Sequence, residues 1–171
     1  MNLKIVLAVL MIGLLTGCGV QETYETIADE VVESVMATPK QILVDLPGDA
    51  LAPVLETMGE QVYLSHDYEI IIETLDAGDL GATVEAISGY PMEALTILQT
   101  QRDGIDRHEF VWASAGEYGD RLGRAVILDD GDFHYCMSVL RDTGEQGTSQ
   151  ISWEDVFSSF RIAQETPGTA S

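Results

Sequence analysis

Basic side chains are scarce in this chain. Eight lysines and arginines stand against 29 aspartates and glutamates in 171 residues, a formal net charge of −21. Such an excess of anions is repelled by phosphate backbones and by anionic headgroups, so nucleic-acid binding is excluded as a function class. Beyond Lys4 the only lysine is Lys40, and no GxxxxGK[ST] sequence exists, so a phosphate-cradling loop is absent. Cysteine is as rare: Cys18 and Cys136 are the only two, with no paired-cysteine motif and no HExxH to hold zinc. Ser88-Gly89 and the run Ser114-Ala115-Gly116-Glu117 lack the GxSxG spacing of a nucleophile elbow. The acidic run Asp129-Asp130-Gly131-Asp132 lacks the alternating ligands and distant glutamate of an EF-hand, and a hairpin turn explains it more simply. Weak surface binding of calcium by so acidic a chain stays open. No motif calls for a cofactor or a metal.

One long hydrophobic run is present, and it lies at the start. Lys4 is followed by eleven mostly apolar residues, 5–15, a positive start and a greasy core in the manner of a secretory signal. The run is well short of the roughly 20 residues that span a bilayer. Leu15-Thr16-Gly17-Cys18 ends it and resembles the lipobox of bacterial lipoproteins: an aliphatic residue, two small ones, then cysteine. The resemblance covers residues 1–18. It implies cleavage before Cys18, a diacylglyceryl group on the Cys18 sulfur and acylation of the new N-terminus. Two or three acyl chains anchor a protein lastingly where one does so only marginally. The expected location is therefore a cell membrane or envelope, outside the cytoplasm. With Cys18 modified, Cys136 has no partner, so the exported domain must be held by its core rather than by a disulfide.

The remainder divides into an expected tether at 18–40, one domain at 41–163 and a polar, flexible tail at 164–171. Ile27, Val31, Val32, Val35 and Met36 recur at helical spacing in the tether, and Pro39 ends that pattern. Strand signals follow over 42–46, 53–56 and 61–65, with Met58-Gly59 as a turn. In residues 68–74, Tyr68, Ile70 and Ile72 alternate with Glu69 and Glu73. Asp79 is placed to cap a helix bearing Leu80, Val84 and Ile87, which Gly89 closes. Two hairpins are expected next, turning at Asp103-Gly104 and at Asp130-Gly131. With Asp130-Gly131 as the turn, Asp129 faces Asp132, Leu128 faces Phe133 and Val126 faces Tyr135. One face is then large and apolar, while Gly123, Ala125, Ile127, His134, Cys136 and Ser138 form the other. Ser152 caps a last helix through Trp153, Val156 and Phe157, and residues 160–162 read as a short edge strand.

Strands joined by hairpins with two or three helices predict an α+β domain around an antiparallel sheet. This order resembles the PsbP/Mog1-like architecture, across residues 41–163 and without motif residues. That resemblance implies a fold and not a function.

The chemistry-bearing residues are few. His134 and Cys136 share a strand face, but positions two apart are separated by roughly 7 Å, too far for direct proton transfer. Cys136 is read as a core residue, as are Trp112 and Trp153. The segment from Gly116 to Arg124 reads as a loop between two long strands, in which Glu117, Asp120, Arg121 and Arg124 are candidates to bind a polar ligand. The sequence thus points to a binding or interaction module rather than an enzyme, with an envelope protein or a small polar ligand as partner. The alternatives are a structural envelope component, or a hydrolase or thiol enzyme acting through Cys136 or carboxylates.

Overall fold

A computed structural model describes residues 37–116, 119–142 and 151–163. The lipobox, the tether helix expected before residue 37, Glu117 and the tail from 164 lie outside the described residues.

The described part is α+β. A seven-stranded antiparallel sheet contains β2 (Leu55–Glu56), β3 (Glu60–Leu64), β4 (Tyr68–Asp76), β5 (Leu98–Arg102), β6 (Ile105–Gly116), β7 (Gly119–Asp129) and β8 (Phe133–Asp142). Its spatial order is β2-β3-β4-β8-β7-β6-β5. A separate two-stranded sheet pairs β1 (Ile42–Leu43) with β9 (Arg161–Ile162). Helix α1 (Leu80–Ser88) follows β4, and α2 (Trp153–Ser159) precedes β9.

Period-2 alternation places side chains on two faces, and each face has its own core. Tyr68, Ile70 and Ile72 of β4, Val126 and Leu128 of β7, and Tyr135, Met137 and Val139 of β8 pack with Val156, Phe157 and Phe160 of the α2 region. On the opposite face Phe110, Trp112, Ala125, Ile127 and Cys136 pack with Val84 of α1. The small residues of that second face let α1 lie close. The middle strand β8 is therefore buried from Phe133 to Val139 without alternation, because a helix covers each side.

The local signals act as expected at most boundaries. Asp79 accepts a hydrogen bond from the Gly81 amide at 2.9 Å, and Gly89 closes α1 with φ +76°. Ser152 caps α2 through the Asp155 amide at 3.4 Å. Asp103 and Gly104 have φ +54° and +78°, the left-handed pair of a two-residue hairpin turn.

Three expectations are corrected. The β7–β8 turn is Gly131-Asp132, one residue later than expected, and Asp129 pairs with His134 instead of Asp132. Gly131, at φ +92°, supplies the left-handed first turn position. The Asp130 carboxylate folds back onto the amides of Asp132 and Phe133 at 3.2 and 2.9 Å. Because pairing shifts by two positions, every side chain keeps its expected face. Second, residues 161–162 do not edge the main sheet but pair with β1. Third, no loop runs from Gly116 to Arg124: β6 reaches Gly116, β7 resumes at Gly119, and these two glycines pair.

Candidate functional site

Helix α2 covers β4, β7 and β8 but leaves the outer strands of the same face open. A groove of about 1060 Å³ results, bounded by β5, β6, α2 and β9. Its floor and walls carry Ile105, Leu128, Phe160 and Ile162 as apolar surface and Thr100 and Ser158 as hydroxyls. Lys40, Arg102, Arg107 and Arg161 also line it, four of the eight basic residues of a chain of net charge −21. Asp103, Glu109 and Glu154 are its acids.

These charges are not equivalent. Arg107 is locked: its Nε donates to Glu109 at 2.7 Å, and its two terminal nitrogens donate to the carbonyls of Phe160 and Phe157 at 3.1 and 2.8 Å. It thereby satisfies the end of α2, where a cation is favoured. Arg124 donates to Glu109 and Glu154, both at 2.9 Å, and lies 4.3 Å over the Phe157 ring. Burial opposes ionisation of Glu109, but the hydrogen bonds from Arg107 and Arg124 outweigh it and hold the carboxyl below its ordinary range. The two arginines and two glutamates neutralise one another and form the structural wall of the groove.

The other cations are freer. Arg102 has a side chain 92% exposed, with Asp103 at 3.5 Å. Arg161 donates to the Ser159 carbonyl at 2.8 Å, and among the described residues no carboxylate lies within ion-pair distance of it. Lys40 is held at the rim by Asp130 at 2.7 Å, while its amide donates to the Tyr135 hydroxyl at 2.9 Å. That hydrogen bond to Asp130 raises the Lys40 pKa above its ordinary value. Arg102 and Arg161 can meet a ligand without first breaking a buried pair.

The residues singled out from sequence are distributed otherwise. Arg121 and Arg124 lie on opposite faces of β7, three positions apart on a strand, and do not converge on one ligand. Arg121 pairs with Glu69 at 3.4 Å and Asp142 at 3.3 Å on the α1 face. Asp120 is exposed on β7 opposite Ala115. Only Arg124 abuts the groove, through Glu109 and Glu154. The groove cations escaped sequence reading because no local motif joins positions 40, 102, 107 and 161. Their rarity was the available signal.

Of the remaining reactive types, His66 is exposed between β3 and β4, whereas His108, His134 and Cys136 are enclosed. His134 is 1% exposed, its Nδ1 2.9 Å from the Thr83 hydroxyl and its Nε2 3.6 Å from Asp129. His108 is buried, and among the described residues its Nδ1 has no hydrogen-bond partner. Cys136 is buried, and that burial, with the nearby charge of Glu73, pushes its thiol well above its ordinary pKa. A thiol so placed is poorly nucleophilic. Among the described residues no group of three or more His, Cys, Asp or Glu side chains is arranged to hold a metal, and no helix is long and apolar enough to cross a membrane. No protein-family model matches the chain, and no curated protein matches it.

Proposed function

We propose that this chain is a lipid-anchored, extracytoplasmic binding module that takes an anionic ligand in the groove between β5–β6 and α2–β9. The observation that carries this reading is the gathering of half the basic residues around one cavity in a strongly acidic molecule. Long-range repulsion from the other acids does not prevent such binding, because at physiological salt charges beyond about 8 Å are largely screened. Apolar surface beside Arg102 and Arg161 suits an anion with a partly hydrophobic body. The anchor rests on the lipobox Leu15-Thr16-Gly17-Cys18, which assigns residues 1–17 to a signal peptide and Cys18 to lipidation. The PsbP/Mog1-like resemblance of residues 41–163 rests on the sequence order of strands and helices, and an analogy of fold assigns no ligand. The burial of Cys136 speaks against the thiol-enzyme alternative alone.

Thermal unfolding of the detergent-solubilised full chain in citrate, a small polyanion, tests the groove. A ligand that binds only the folded state stabilises it by about 2.7 kcal/mol at a hundredfold excess over Kd. Citrate should raise Tm beyond sodium chloride of equal ionic strength, and the double substitution Arg102→Ala with Arg161→Ala should abolish that excess. Equal shifts in citrate and chloride would leave only general screening and defeat the proposal.

A further inference from the structure

We propose that the outer edge of β5 accepts an extended acidic peptide as an eighth strand of the sheet, the acidic side chains of the peptide reaching Arg102 and the mouth of the groove. This names the partner class for the anion-binding groove and rests on that reading. Among the described residues strand β5 ends the sheet order, and all five of its residues are exposed. Its hairpin with β6 has a two-residue turn, so Arg102 pairs with Ile105, Thr100 with Arg107 and Leu98 with Glu109 as the mutually hydrogen-bonded positions. Gln99 and Gln101 therefore turn their backbone N–H and C=O groups outward, away from β6.

Free edges are ordinarily blunted by lysine, proline, bulges or extreme shortness. Residues 98–102 contain no lysine and no proline, and their register with β6 runs without a bulge. The opposite edge, β2, has only two residues. Leu98, Thr100 and Arg102 point to the groove face, so a peptide strand laid on this edge presents every second side chain to them. A carboxylate belongs opposite Arg102, whose guanidinium is almost fully exposed, and an apolar residue opposite Leu98, which is 61% exposed. Lining by Arg102 and Arg161 continues that preference into the groove. A second copy of this chain pairing β5 to β5 is the poorer occupant, since residues 98–102 contain no carboxylate to set opposite Arg102.

The test uses the detergent-solubilised full chain and a blocked peptide alternating threonine with glutamate, glutamate and valine. Amide hydrogen exchange at Gln99 and Gln101 should slow on adding this peptide, and a version with lysine for glutamate should bind roughly tenfold or more weakly, a difference of about 1.4 kcal/mol or more. Gln101→Pro removes an outward N–H that β6 does not use, so it should abolish peptide binding while citrate still stabilises the protein. Peptide binding with unchanged exchange at both amides, or equal binding of the lysine version, overturns the strand proposal. If citrate stabilises the wild type but the peptide does not bind, the strand proposal fails and the groove reading stands. Failure of citrate as well removes the groove reading. The exchange measurement on the wild type decides the matter even if Gln101→Pro does not fold.

Discussion

Gly123 shows how one residue carries a packing decision. It pairs across strands with Trp112, whose indole lies over it so closely that a Cβ there would fall within the ring's van der Waals envelope. Gly123→Ala should therefore lower the urea midpoint by the equivalent of about 1–3 kcal/mol with an unchanged m-value. Gly48, with open space around its Cβ direction, serves as the neutral control. Glu73 illustrates a charge that works against the fold. It lies opposite Glu60 on the neighbouring strand, and burial, followed by the Glu60 charge, raises its pKa. A carboxyl raised in the folded state costs stability as pH rises past its unfolded value of about 4.3, and the cost is complete above the folded value. Glu73→Gln should thus stabilise the protein at neutral pH, by roughly 0.2–1 kcal/mol. The advantage should vanish in melting curves recorded at a pH below 4.3.

At the scale of elements, the β7–β8 turn depends on one carboxylate. Asp130 accepts from two turn amides through Oδ1 and from Lys40 and Tyr135 through Oδ2, at 2.7 and 3.2 Å, with a side chain only 3% exposed. Burial alone would raise its pKa, but the hydrogen bond from Lys40 and the amides of Phe133 and Asp132 prevail and lower it. A depressed carboxylate stabilises the fold above its unfolded pKa, and that stability is lost as pH falls through the folded value. Asp130→Ala should cost about 2–4 kcal/mol at pH 7 by chemical denaturation, since buried donors lose a charged acceptor. The difference from wild type should shrink below about pH 3.9. An invariant gap across that range would mean that the carboxylate's charge contributes nothing.

For the whole molecule, the dominant facts are a two-sided core and a large negative charge. A net charge of −21 repels anionic surfaces, so on the proposed function membrane attachment would rest on a lipid at Cys18. Metabolic labelling with palmitate checks that assignment: Cys18→Ala should lose the label and accumulate as unprocessed precursor. Label retained by the variant would place the lipid elsewhere or deny it altogether.

Local chemistry was legible wherever a few adjacent residues decide the outcome. Asp79 and Gly89 bound α1, Asp103-Gly104 turns the first hairpin, and period-2 patterning assigned faces that survive even the one-residue displacement of the second turn. Caps, turns and alternation act through neighbours within about four residues, and such relations are written in sequence order. That an antiparallel sheet dominates also followed from the hairpin order. What lay beyond reach depends on pairs far apart in the chain. Lys40 meets Asp130, Arg107 meets the end of α2, and residues 161–162 leave the main sheet for β1, all across 50 or more positions. The apparent loop at 116–124 became two paired strands because its glycines face one another and its polar residues find partners on β4, β6, β8 and α2. The sequence by itself determined the turns, the caps and which side chains share a face. Only the tertiary structure decided where scarce cations gather, because a groove is made by which strands a helix leaves uncovered, and no local pattern encodes that choice.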